Sequence, residues 1–253
     1  MNFNIKNLAI ISLLCCLAFD VSATTGDPKL HSGFVYLNDI DPSIIVSLRY
    51  HQDENFLGKP IQGCSGQRAV VTVEAAEALR NVQEDLVMYG YSLVVYNAYH
   101  PQKTYKQLEA WLLDKNHNTT QTEYHPNLTK ADLLKVGYIK DKFAHARGST
   151  VDVTIISLKE KLRTPCKKQK KSYKNQKDLV YMNDRSMDMG TSYDLFDPLS
   201  AYANKSVPLQ SQDNRKFLRE SMQNHGFIPN NKVWWQFTLV REPYADSKFD
   251  FDV

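Results

Sequence analysis

The sequence predicts a single α+β domain, an antiparallel-rich sheet with helices packed on it. Three observations carry this. Helical and strand periodicities intermingle without a regular βαβ repeat. No segment duplicates another, and 253 residues at 42% hydrophobic content can bury one substantial core. The net charge of +3 is mild and does not point to nucleic acid.

The elements follow in chain order. Residues 1–23 read as a signal peptide. Lys6 precedes an apolar run from Leu8 to Phe19, too short to span a bilayer, and Val21-Ser22-Ala23 suits cleavage before Thr24. Cys15 could accept a lipid, but Leu14 stands where a lipid-attachment site wants a small residue. The mature chain, 24–253, is thus expected to be exported, periplasmic or secreted, with no transmembrane segment left. Cys64 and Cys166 remain in it, and an oxidising compartment favours a bridge between them over two buried thiols.

"GFVYLNDIDPSIIVSLRY" reads as extended structure with turns at Asp39-Ile40-Asp41-Pro42. Ala75, Leu79, Val82 and Leu86 then share one helical face, which Thr72 can cap and Gly90 can close. "YSLVVYNAY" is a buried strand of β-branched and aromatic residues. Pro101 suits the start of a helix whose inner face is Tyr105, Leu108, Trp111 and Leu112. The polar stretch from Asn116 to Thr129 reads as loop, and "FAHARGSTVDVTI" passes from loop into strand. A basic segment at about 157–187, with few apolar residues, is expected to be a surface insertion without a core of its own. "NRKFLRESMQNHG" is a last helix and "KVWWQFTLV" a last strand.

Within "HARGSTVD", His145 on a loop and Asp152 on the next strand can approach one cation from two directions, with Gly148 turning the backbone between them. This block resembles the zinc-binding segment of the VanX-type D-alanyl-D-alanine dipeptidases. The resemblance extends to "RYHQDENFLGKPIQG", "VVYNAYHPQKTYKQL", "MGTSYDLFD" and the tail "HGFIPNNKVWWQFTLVREPYADSKFDFDV", and so covers most of the mature chain outside the basic insertion. It implies zinc held by His145, Asp152 and a third ligand. It also implies a substrate groove formed by Asn97, Tyr99, His100, Arg147, Trp234 and Trp235.

The departures from that pattern fall on the chemistry. Where the family has a Glu general base and a third ligand His around its paired tryptophans, this chain has Val233 and Gln236. The family's Arg, which steadies developing negative charge, is His100. Its Asp three positions earlier is Asn97, and Phe143 and Thr150 replace smaller residues near the ligands. An amide oxygen is a far weaker zinc donor than imidazole, and Val233 accepts no proton. The expectation is zinc bound weakly or not at all, unless His100 or His225 serves as a third ligand. His51, His125 and Glu242 lie elsewhere, Glu242 being expected in solvent.

Three readings follow. The first is a pseudo-peptidase that binds a small D-amino-acid peptide, a cell-wall fragment or a partner without hydrolysis. The second is an active zinc D-alanyl-D-alanine dipeptidase with an atypical site. The third is an interaction protein whose Lys167–Lys177 region meets an anionic surface, nucleic acid being disfavoured.

Overall fold

In the computed structural model, residues 30–64, 66–116, 118–139, 144–173 and 176–253 are described. The segment expected to be a signal peptide, 1–23, lies outside them, as do Phe143 and Lys174. Strand β1 (Phe34–Tyr36) leads into a helical turn α1 (Leu37–Ile40) and the short β2 (Ile45–Val46), and β1 pairs antiparallel with β3 (Val70–Thr72). The helical turn occupies part of the stretch expected to be extended, because buried Leu37 anchors it against the core.

Helix α2 (Val73–Met88) begins where Thr72 accepts a hydrogen bond from the Ala75 amide at 3.3 Å. Its Ala75, Leu79, Val82 and Leu86 are fully buried, which is the face the sequence shows. Strand β4 (Tyr91–Asn97) follows. Leu93 and Val95 join the main core on one side of it, while Val94 and Tyr96 pack in a smaller cluster on the other. Burial on both faces marks a central strand.

Helices α3 (Thr104–Leu113), α4 (Gln121–Tyr124) and α5 (Lys130–Lys135) cover one end of the domain. The sequence suggested loop where α4 lies; buried Tyr124 holds that turn in place, and Thr129 and Asp132 cap α5 reciprocally. Strand β5 (Thr150–Ser157), the hairpin β6 (Lys167–Lys171) and β7 (Leu179–Asn183), helix α6 (Leu209–Asn224), β8 (Phe227–Pro229) and β9 (Gln236–Leu239) complete the chain.

The main sheet has the order β2-β4-β5-β9-β8. Only β2 and β4 run parallel within it, so the expected antiparallel-rich α+β domain is what forms. Helix α6 packs on α2 and β8, closing the core on that side.

Two expectations are corrected. The basic insertion is not an excursion without a core: β6 and β7 pair antiparallel, and Tyr173 and Leu179 bury with Leu195, Leu199 and Val207. Three of its lysines find carboxylates, Lys168 on Glu123, Lys170 on Asp178 and Lys171 on Asp188, which lowers the cost of their crowding. Cys64 and Cys166 are free thiols rather than a bridge. Cys166 receives a hydrogen bond from the Arg49 guanidinium at 3.3 Å, while Cys64 lies where the chain terminus returns, Val253 donating to Gly63.

Candidate functional site

Three neighbouring strands place three polar residues in a row. Asn97 on β4 stands opposite Asp152 on β5, which stands opposite Gln236 on β9. The register of β4 shifts between Val95 and Asn97, leaving Tyr96 as an extra residue. Without that bulge Asn97 would follow Val95 onto the core face; with it, Asn97 turns to the side of Asp152. His145 arrives over this row from a 3₁₀ turn (His145–Arg147) that ends at Gly148 in the left-handed region, φ 80°.

The contacts within the row define its chemistry. His145 Nδ1 faces the carbonyl oxygens of Ala98 at 3.0 Å and Thr150 at 3.1 Å, so it carries the hydrogen and leaves Nε2 as an acceptor. The amide nitrogens of Asn97 and Gln236 both lie 3.2 Å from Nε2. Asn97 also donates to Asp152 Oδ2 at 3.0 Å, as does the Tyr193 hydroxyl at 2.9 Å. Gln236 keeps its nitrogen toward His145 because Asn230 donates to its oxygen at 2.9 Å.

A cavity of about 100 Å³ opens on this row. His145, Asp152, Asn97, Gln236, His100, Val233 and Trp235 line it, together with Tyr50, Asp194 and Asn230. Three expected groove residues do not. The Tyr99 hydroxyl donates to the Phe251 carbonyl and its ring stacks on Phe251, because the C-terminal segment returns over β1. Arg147 forms a two-pronged ion pair with Glu242, at 2.8 and 3.0 Å, so Glu242 is also not a solvated group. Trp234 turns the other way and donates to Thr191 at 2.9 Å. Thr150 hydrogen-bonds Thr238 at 2.9 Å across β9 instead of crowding the site.

Electrostatics follow from burial. Burial pushes the Asp152 carboxyl upward, but the charge that His145 carries when protonated, its Nε2 3.4 Å from Oδ2, and hydrogen bonds from Asn97 and Tyr193 outweigh it and hold the group below the ordinary carboxylate range. Burial and the neighbouring His145 drive His100 down to about 3, so it is neutral at mildly acid pH. Burial, then the charge of Asp152, raises Asp194 well above the carboxylate range, and Tyr50 donates to it at 3.1 Å.

Whether zinc fits can be tested on the donors themselves. A catalytic zinc site takes three protein ligands in tetrahedral directions. His145 Nε2 and the Asp152 carboxylate are available donors, and Asp152 Oδ1 is buried without a hydrogen-bond partner among the described residues. The third position offers an amide whose oxygen is already held by Asn230. The His100 ring lies 5.0 Å from that of His145 and within 25° of parallel, so their in-plane lone pairs do not converge. His225 is bonded to Asp85 at the end of α6, outside the cavity. Among the described residues no three His, Cys, Asp or Glu side chains come together as a ligand set. The residues present do not fit a zinc site of this kind.

Asp194, Tyr50 and Asn230 escaped the sequence reading. Asp194 stands in the quoted "MGTSYDLFD" block, and its left-handed backbone, φ 59°, has no sequence signal beyond Asp's tolerance of that region.

Comparison with known proteins agrees with this architecture. A peptidase family profile described as D-ala-D-ala dipeptidase matches residues 31–164 and 159–253. A D-alanyl-D-alanine dipeptidase of Enterococcus faecium is 30% identical over 221 residues, covering 87% of this chain and 98% of that one. One from Enterococcus faecalis is 29% identical over 224 residues, with 88% and 100% covered. A third, from Streptomyces coelicolor, is 28% identical over 220 residues, with 87% and 98% covered.

Proposed function

This chain belongs to the D-Ala-D-Ala dipeptidase family, and we propose that it binds a small D-amino-acid peptide or cell-wall fragment without hydrolysing it. One observation carries the reading: His145 Nε2, the nitrogen that would hold a metal, faces two side-chain amides. Val233, at the position the family resemblance gives to the general base, is apolar and lines the same cavity. Loss of a general base alone typically lowers a rate by about 10²–10⁴. Loss of a cooperating ligand compounds that effect.

The cavity supports binding better than turnover. Phe56, Ile61, Phe196 and Trp235 give it apolar walls for small aliphatic groups, and the row beneath offers amides and carboxyl groups to a peptide backbone. A ligand's ammonium end can pair with the Asp152 carboxylate, which stays charged. Residues 1–23 act, in this reading, as a cleaved export signal that delivers the mature chain to the periplasm or beyond, where such fragments occur.

The second reading, an active zinc dipeptidase with a rebuilt site, has one observation in its favour, the unpartnered Oδ1 of Asp152. Calorimetric titration of the mature protein with D-alanyl-D-alanine, followed by recovery of the ligand, separates the two. Saturable binding with intact dipeptide is expected. Release of D-alanine favours the second reading, and absence of binding by this dipeptide and by longer D-alanyl peptides overturns the first.

A further inference from the structure

We propose a second binding site, for a phosphate group, in the cleft beside the β6–β7 hairpin. The cleft is open, with a volume of about 660 Å³, and every residue that lines it is polar or charged. It lies apart from the cavity above His145 and shares no lining residue with it.

Three cations from three chain segments converge there: Arg163, Lys167 and Arg185. The fold brings them together. Lys167 stands opposite Asn183 in the hairpin register, and the Arg163 amide donates to the Asp184 carbonyl at 2.8 Å. The remaining lysines of β6 behave differently. Lys168 is paired with Glu123 at 2.7 Å, Lys170 with Asp178 at 2.6 Å and Lys171 with Asp188 at 2.5 Å. Arg163, Lys167 and Arg185 have no carboxylate partner among the described residues. Glu160, the one acidic group in the cleft, leaves a surplus of positive charge.

The cleft is also held in shape before any ligand arrives. The turn after β7 is fixed by two backbone-to-side-chain bonds of 2.9 Å, Arg185 N to Asn183 Oδ1 and Ser186 N to Asp184 Oδ1. Asp184 itself is buried and anchored by Arg49 at 2.6 Å and by the Tyr96 hydroxyl. Arg185 sits in the left-handed region, φ 73°, at that turn. Asn183 donates to Gln169 at 3.2 Å, which orients both amides across the hairpin.

Two guanidinium forks and one ammonium around a recess suit a tetrahedral anion with three free oxygens better than a planar carboxylate. A soluble phosphate ester and a phosphomonoester lipid headgroup share that chemistry. Lys168, Lys170 and Lys171, by contrast, are each paired with a carboxylate, so charge along the sequence does not by itself locate the site.

The test uses the mature protein with inorganic phosphate, measured by calorimetry against chloride at equal ionic strength. Sedimentation with phosphatidic acid vesicles, and with phosphatidylcholine vesicles as control, is the second arm. Phosphate is expected to bind, and Arg163→Gln with Arg185→Asn is expected to weaken it about tenfold or more. Asn is chosen at 185 because it tolerates the left-handed backbone. Lys168→Gln with Lys170→Gln removes equal charge and is expected to change affinity by less than about twofold. Should the arginine pair fail to fold, Lys167→Gln alone is read the same way. Phosphate binding without vesicle binding identifies a soluble ester as the source, and binding of phosphatidic acid vesicles identifies a headgroup. Absence of both, or equal loss in the two double variants, overturns the proposal.

Discussion

Replacing Gly148 by Ala is expected to destabilise the fold more than the same methyl addition at a left-handed glycine with open surroundings. The residue ends the turn that delivers His145, at φ 80°, and a Cβ there would lie 2.1 Å from Phe34 Cε1 and 2.8 Å from Cζ. Phe34 cannot swing aside easily, because it is 6% exposed and packed among Tyr99, Tyr244, Phe249 and Phe251. The left-handed backbone costs about 1–2 kcal/mol for a residue with a Cβ, and forcing a methyl into a packed site adds about 1–3 kcal/mol. Gly90 isolates the first contribution: its φ is 82° and nothing lies within 4 Å of an added Cβ. Urea denaturation of the mature protein should therefore show Gly90→Ala losing about 1–2 kcal/mol and Gly148→Ala about 2–5 kcal/mol. Equal losses in the two variants would refute the packing described for the His145 turn.

Three further outcomes are expected. Val233→Glu, Gln236→His and His100→Arg together should bind one zinc per chain, measured by elemental analysis, and gain weak hydrolysis; no zinc in the triple variant would mean the strand row no longer holds the family geometry. Asp194→Asn should raise the melting temperature at pH 7. A carboxyl whose folded pKa is raised stabilises the fold at low pH and loses that contribution as pH rises above its unfolded value near 3.8, so the isosteric amide gains most at neutral pH and little at pH 3. An unchanged melting temperature at both pH values would contradict the burial assigned to Asp194. Burial pushes both Cys64 and Cys166 up to about 12, so neither should react quickly with alkylating reagent in the native state, and both should react after denaturation without reductant. A mass two hydrogens lighter and resistant to alkylation would restore the bridge.

What the sequence discloses depends on how far apart the cooperating residues lie. His145 and Asp152 flank one turn, so residue type and spacing alone expose them. The buried faces of α2 and β4 are likewise local patterns of apolar residues. Gln236 was identifiable as a departure, but the amide that orients it, Asn230, reads as part of an ordinary polar turn. Arg147 and Glu242 are separated by 95 positions, and only the folded sheet reveals that they neutralise each other outside the cavity. The hairpin was hidden by its own lysines. Their partners Glu123 and Asp188 come from segments that no periodicity links to β6. Tyr99 and Trp234 mislead for a different reason: each stands next in sequence to a cavity residue, His100 or Trp235, but is drawn elsewhere by its own hydrogen bond, to Phe251 or to Thr191.

On the proposed reading, the site has lost hydrolysis along with its third ligand and its base. The most direct measurement is zinc content, together with D-alanine release from D-alanyl-D-alanine, in mature protein purified without a metal-chelating tag. The account predicts far less than one zinc per chain and no measurable release. One zinc per chain that is lost in His145→Ala, accompanied by D-alanine release, would contradict it.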